Sequence, residues 1–127
     1  MITAKPLSAK YQTQISSNVS QTIADVAADK GGSGNGFRPH DFLAAALASC
    51  ISITLRMAAD KQGFDLGDCS VSVELNRDDP SVVRFEYQIS YDSSLNESQR
   101  KYLAFAAAAC PVKSTLSRKI EFASQSK

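Results

Sequence analysis

The chain has 127 residues, which is enough for one domain with a real core but not for two. Its 14 Lys and Arg residues nearly balance 13 Asp and Glu residues, so charge gives no argument for binding nucleic acid or an anionic membrane surface. No 18-residue apolar stretch is free of polar residues, and the first residues lack a signal-peptide pattern. We therefore expect a single cytoplasmic domain over residues 1–127.

The N-terminal region has the alternating pattern of strands. Apolar and polar residues alternate over residues 11–15, and the turn formers at 16–18 precede a second segment at 19–23, which predicts a hairpin. The glycine-rich segment at 31–36 resembles a phosphate-binding loop only superficially, because no Lys-Ser or Lys-Thr pair follows it. We interpret this segment as a flexible loop.

A long apolar run begins at Pro39, a residue suited to the first helical position, and continues to about Met57 or Ala59 before Gly63. On a helix, a narrow polar face would hold Ser49, Ser52, Arg56 and Asp60. Another face would hold Leu43, Ala46, Leu47, Cys50, Ile53, Thr54 and Met57. Because so little of the circumference is polar, the sequence predicts a central, largely buried helix.

The second half of the chain predicts a hairpin followed by two helices. Residues 70–76 and 83–91 alternate between apolar and polar side chains around a turn at 78–81, which indicates an antiparallel pair with one buried face. Ser94 and Glu97 have the spacing of a capping box, so a helix is expected from about Leu95 to Ala109.

Proline disfavours helical geometry at the residue before it, so this helix should end near Cys110. A short third helix beginning at Pro111 would then have Cys110 at its N-cap. Ile120 and Phe122 are predicted to form a last edge strand.

Two of the three cysteines stand in matched contexts. Cys50 and Cys110 each end an alanine-rich apolar run, and Cys110 precedes a proline. Both could simply be small buried apolar residues, since free cysteine is among the most buried residue types. For a cytosolic chain, redox or catalytic use explains paired thiols better than a disulfide framework does. Cys69 has no obvious partner and is interpreted as structural, and with His40 as the single histidine no zinc-site spacing exists.

Two segments resemble the signatures of one family. The stretch from Arg38 to Cys50, continuing to Met57, resembles the central-helix motif of the OsmC/Ohr family, and Cys110-Pro-Val-Lys-Ser-Thr-Leu116 is similar to its second motif. The resemblance implies an α+β fold with antiparallel sheets, a long central helix and an intertwined homodimer. It also implies a pair of cysteines at the subunit interface that, in characterised members, reduces organic hydroperoxides with an external dithiol.

The resemblance also implies roles for individual residues. Cys50 matches the attacking cysteine and Cys110 the resolving one, with an arginine and a carboxylate beside the first. The family arginine comes from the N-terminal strands, but residues 1–37 contain no arginine, so Arg38 is our candidate, with Asp41 orienting it. The family's peroxidases carry the acidic residue directly after the proline, where this chain has His40.

Burial and helix electrostatics favour the opposite roles for the two thiols. Burial on an apolar face should raise the pKa of Cys50, whereas a helix N-terminus should lower that of Cys110.

Two candidate functions stay open. One is a cysteine-dependent organic hydroperoxide reductase in oxidative or osmotic stress defence. The other is an OsmC-like domain without peroxidase activity that binds a small apolar ligand at the dimer interface. Neither requires a metal, a cofactor, nucleic acid or a membrane.

Overall fold

The computed structural model describes residues 1–125 and has the predicted α+β class with antiparallel sheets. The elements in chain order are β1 (Thr3–Pro6), β2 (Thr13–Ser16), β3 (Gln21–Ala24), α1 (Pro39–Gln62), β4 (Ser70–Asn76), β5 (Arg84–Ser90), α2 (Glu97–Ala108) and α3 (Pro111–Leu116). The chain divides into two compact units, one up to Ala44 and one from Ala45 onward. That residues 1–127 act as a single domain stays a prediction.

The first unit contains a three-stranded antiparallel sheet in the order β1-β2-β3. The predicted hairpin is confirmed as β2 and β3, in which Thr13 pairs with Ala24 and Ser16 with Gln21. β1 was missed because all four of its residues are exposed, so it has no apolar alternation to reveal it.

The glycine-rich segment in this unit is held by a buried carboxylate. Asp25 is 2% exposed and accepts hydrogen bonds from the Val26 and Ser33 amides and from the Ser33 hydroxyl. A Cβ on Gly32 would lie 2.2 Å from the Val26 carbonyl oxygen, so the backbone approaches here as only glycine allows. The segment is therefore anchored at its middle, and the interpretation as a merely flexible loop was incomplete.

The core of the second unit forms along one face of α1, which runs three residues beyond the predicted end, to Gln62. Its buried residues are Leu47, Ile51, Leu55, Ala58 and Ala59. They pack with Leu95, Leu103, Ala107 and Cys110 into one hydrophobic cluster. Gly63 follows the helix with φ of 77°, the left-handed conformation that commonly ends helices.

A second apolar stripe of α1, separate from the buried face, is uncovered in the single chain. Leu43, Ile53 and Met57 are 44%, 56% and 67% exposed, and their spacing puts them along one stripe. The prediction of a largely buried helix was therefore wrong for one chain on its own. By length and composition alone α1 could cross a membrane. The core helix of a folded domain passes the same test, and α1 buries five residues in such a core.

The predicted hairpin of the second unit is confirmed as β4 and β5, with Val71 opposite Ile89 and Leu75 opposite Phe85. The cap of α2 differs from the predicted Ser94–Glu97 box. The capping box is formed instead by Asn96 and Gln99, each of whose side chains bonds the backbone amide of the other. The Ser94 amide belongs to the preceding turn, where it donates to the Asp92 carboxylate.

The predicted last strand is wrong for the described chain. Ile120 and Phe122 are 56% and 96% exposed and belong to no strand, because no neighbouring strand within residues 1–125 pairs with them. An alternating pattern forms a strand only where the edge of a sheet is available for it to pair with.

Candidate active site

The junction between α2 and α3 positions Cys110. α2 ends at Ala108, and Pro111 occupies the first turn of α3, where its missing amide costs nothing. Cys110 is the N-cap of α3, as predicted, and its sulfur accepts a hydrogen bond from the Lys113 amide at 3.4 Å. The side chain has no exposed surface. The sequence thus forms a tight corner with a buried thiol at its apex.

Cys50 lies on α1 and packs against the cluster that contains Cys110. The two thiols are neighbours, close enough for Cys50 to affect the ionisation of Cys110 through a side-chain hydrogen bond and through charge. Both are free cysteines, but Cys50 is only half-buried. Adjacent free thiols, one of them reachable from solvent, are the arrangement that reversible disulfide chemistry requires.

The pKa of Cys110 is raised, and the expectation of a lowered value from its place at a helix N-terminus was wrong. Burial is the largest cause, because it disfavours the charged thiolate, and the neighbouring Cys50 raises the pKa further. The hydrogen bond from the Lys113 amide lowers it but does not outweigh burial.

Arg38 and Asp41 form an ion pair at the start of α1. Arg38 Nη2 lies 3.2 Å from Asp41 Oδ1, and the Arg38 backbone amide donates to Oδ2 at 2.9 Å. The Arg38 guanidinium lowers the pKa of the Asp41 carboxyl, chiefly through its hydrogen bond. Both side chains are partly exposed, so the pair contributes little to stability. His40 lies in the first turn of α1 and is exposed.

Cys69 precedes β4 and is engaged in a turn. Its sulfur donates to the Leu66 carbonyl oxygen at 3.2 Å and accepts from the Asp92 amide at 3.4 Å. These two bonds favour the structural interpretation of this cysteine. Within residues 1–125, no cluster of three His, Cys, Asp or Glu side chains could hold a metal ion.

Sequence reasoning missed the side chain of Lys113 at the α2–α3 corner. Its Nζ donates to the Ala108 carbonyl oxygen at 3.1 Å, across the turn that carries Cys110. A basic residue just beyond a helix that ends without glycine was the available signal, because its charge suits the carbonyl end of that helix.

A family model described as OsmC-like protein matches residues 32–125, a segment that includes both cysteine motifs. The chain belongs to the OsmC-like protein family. This membership confirms the family that the two motifs resembled. No curated protein sequence matches the chain.

Solved structures share the fold of this OsmC-like protein at low sequence identity. A putative osmotic stress induced and detoxification response protein from Psychrobacter arcticus is 24% identical with a TM-score of 0.73, over 91% of this chain and 88% of that one. An OsmC-like protein from Mycoplasma pneumoniae is 22% identical with a TM-score of 0.74, over 91% and 85% of the two chains. The organic hydroperoxide resistance protein OhrB of Bacillus subtilis is 23% identical with a TM-score of 0.62, over 92% and 90%.

Proposed function

We propose that this OsmC-like protein is a thiol-dependent reductase of organic hydroperoxides that acts in cytoplasmic stress defence. The observation that carries the proposal is the half-buried Cys50 beside the fully buried Cys110. Structures with the same fold come from proteins named for organic hydroperoxide resistance, which supports this substrate class.

In the first step the thiolate of Cys50 attacks the outer oxygen of the hydroperoxide. The O–O bond breaks, the substrate leaves as an alcohol after taking up a proton, and Cys50 becomes a sulfenic acid. Cys50 takes this role because peroxide can reach its partly exposed sulfur, whereas Cys110 has no exposed surface.

In the second step the sulfur of Cys110 attacks the sulfur of the Cys50 sulfenic acid. The S–S bond forms and the sulfenic oxygen leaves as water, which protects Cys50 from further oxidation. An external dithiol then reduces the disulfide by exchange and is itself oxidised to a disulfide.

The protein works as a homodimer in this proposal. Leu43, Ile53 and Met57 form the exposed apolar stripe of α1, and exposed apolar surface of this kind marks an interaction site. A second copy laid on the stripe would also enclose the partly exposed Cys50, which lies within it. Such an enclosed apolar pocket suits an organic hydroperoxide.

In this proposal Arg38, oriented by Asp41, is the positive group that stabilises the attacking thiolate, because opposite charges attract. Cys50 follows Pro39 by eleven residues in one helix, or about 16 Å along the axis, which is farther than an arginine side chain reaches. Arg38 of one subunit therefore acts on Cys50 of the other.

Peroxide consumption in the presence of a dithiol tests this function. The wild-type protein should consume cumene or tert-butyl hydroperoxide, and Cys50→Ser should abolish the reaction. Cys110→Ser should allow one turnover and then leave sulfenic or sulfinic acid on Cys50. If the wild-type protein consumes neither peroxide, the reductase proposal fails and the ligand-binding alternative replaces it.

A further inference from the structure

Lys113 joins the two helices on either side of Cys110. Its Nζ donates to the Ala108 carbonyl oxygen at 3.1 Å, and its backbone amide donates to the Cys110 sulfur at 3.4 Å. Its own carbonyl oxygen accepts from the Ser117 amide at 3.0 Å and from the Ser117 hydroxyl at 2.8 Å. One residue therefore contacts the end of α2, the buried thiol and the end of α3.

The contact with Ala108 gives a hydrogen-bond donor to a carbonyl group at the C-terminal end of α2. The last four carbonyl groups of a helix have no partner within it, and they carry partial negative charge. α2 has no basic residue in its last turn, and its C-cap is Ala109, which lacks the left-handed conformation of a glycine cap. The Lys113 ammonium supplies both a donor and a positive charge at this end.

The backbone of Cys110 is fixed by the same corner. Its amide donates to the Ala107 carbonyl oxygen at 3.2 Å, and its carbonyl oxygen accepts from the Ser114 amide at 3.2 Å. The direction of the Cys110 sulfur is thus set by the angle between α2 and α3. The only side-chain hydrogen bond across that angle, within the part of the chain that the structure describes, comes from Lys113.

We propose that Lys113 is a positioning residue for Cys110, holding the α2–α3 corner so that the Cys110 sulfur faces Cys50 for disulfide formation. The inference rests on the proposed function and adds a positioning residue to its second step, the formation of the Cys50–Cys110 disulfide. The ammonium group exchanges no atom or electron in the step: Cys110 loses its proton, Cys50 loses its sulfenic oxygen as water, and the S–S bond forms.

The test compares three variants by stopped-flow kinetics with an alkyl hydroperoxide. Lys113→Met keeps the apolar stem and removes the ammonium, and Lys113→Arg restores a cation. Lys101→Met is the control, since Lys101 is an exposed lysine of α2 paired with Glu97. Lys113→Met should leave sulfenic acid formation on Cys50 unchanged and slow its conversion to the disulfide about two- to fivefold, the factor that 0.3–1 kcal/mol of charge–dipole stabilisation corresponds to.

Lys113→Arg and Lys101→Met should convert the sulfenic acid at the wild-type rate, and sulfinic acid on Cys50 should accumulate only in Lys113→Met at high peroxide. A merely structural role would lower the thermal stability and slow both steps together. Equal rates of disulfide formation in Lys113→Met and the wild type, or no rescue by arginine, would overturn the inference.

A chemical oxidant separates this inference from the proposed function. Diamide oxidises two thiols to a disulfide and is itself reduced to the hydrazine, so it needs no peroxidase activity. Lys113→Met should form the Cys50–Cys110 disulfide more slowly than the wild type, Lys113→Arg or Lys101→Met. If diamide shows this order while no peroxide is consumed, the positioning role holds and the proposed function fails. Equal diamide rates in all four proteins would overturn the positioning role by itself.

Discussion

Cys50 and Cys110 are neighbours with unequal access to solvent. Cys50 is half-buried on α1, whereas Cys110 has no exposed surface at the N-cap of α3. This difference supports the proposed order of attack, with Cys50 first, and it opposes the order that helix-terminus electrostatics alone suggested. In the proposed reaction, access to solvent therefore separates the two roles more clearly than the place of Cys110 at a helix end.

The raised pKa of Cys110 predicts a pH-dependent second step. The thiolate is the nucleophile, so below the Cys110 pKa the rate of disulfide formation should rise about tenfold per pH unit. Stopped-flow measurement of sulfenic acid decay across neutral and mildly alkaline pH checks this. A rate that is flat over that range would contradict a buried, protonated resolving thiol.

The same raised pKa affects stability. The fold favours the protonated thiol, so its contribution is fully present below the ordinary thiol pKa of about 8.5 and is lost as pH rises through the higher value in the fold. The free energy of unfolding should therefore fall with alkaline pH more steeply in the wild type than in Cys110→Ala. Parallel curves would show that another group is responsible.

Two glycines with positive φ provide a matched pair. A Cβ on Gly63 meets nothing within 4 Å, whereas one on Gly67 would lie 2.5 Å from Asp92 Oδ2. Both substitutions to alanine carry the strain of positive φ, roughly 1–2 kcal/mol. Gly67→Ala should cost more in chemical denaturation, because it must also displace the carboxylate that accepts from the Asp68 amide. Equal losses in the two variants would contradict the close contact.

The stability of the same two glycine variants should also differ in its dependence on acid pH. The Asp68 amide is the largest cause that lowers the pKa of Asp92 to about 2, from an ordinary 3.8. The stability that these bonds provide is present above the ordinary pKa and is lost as pH falls toward the folded value. Gly67→Ala should lose part of this acid dependence, and Gly63→Ala should keep it.

Periodicity and motif spacing predicted the central helix, both hairpins, and Cys110 at the N-cap of α3. Sequence reasoning failed where a particular hydrogen bond or the packing of the core, rather than the periodicity of the sequence, decides the structure. The buried carboxylate of Asp25 meets Ser33 through a loop with no periodic pattern. The cap of α2 moved to Asn96 because the Ser94 amide was already bound to Asp92. The raised pKa of Cys110 needed its burial, which only the packed core reveals.

The exposed stripe on α1 predicts how the protein associates. Ile53→Glu and Met57→Glu each place a charge on this apolar face, so both should shift a homodimer toward monomer in sedimentation experiments. Each variant should stay folded, because both side chains are more than half exposed in the single chain. Ser52→Glu, on the exposed polar face of the same helix, is the control and should sediment as the wild type does. A stable wild-type monomer at micromolar concentration would contradict the dimer.

Arg38→Ala should slow the reaction of Cys50 with peroxide, because the charge that favours the thiolate is lost. Arg56→Ala is the matched control, since Arg56 is exposed and pairs with Asp60 at 3.2 Å on the same helix. Its rate should equal that of the wild type. A normal rate in Arg38→Ala would assign activation to another group.

Mixed dimers test the direction of that activation. A heterodimer of one Arg38→Ala subunit and one Cys50→Ser subunit has one intact pair only if Arg38 acts across the interface. Each heterodimer should then have about half of the activity of a wild-type dimer. A rate in confirmed heterodimers no higher, per intact Cys50, than that of Arg38→Ala would show that Arg38 does not act across the interface.

The most direct test of the account is the thiol state of the protein after one equivalent of an alkyl hydroperoxide, measured by mass spectrometry. We predict a loss of about 2 Da, with Cys50 and Cys110 joined in one disulfide-linked peptide pair and Cys69 still a free thiol. An unchanged mass, a disulfide that includes Cys69, or oxygen added to Cys50 with Cys110 still free would contradict it.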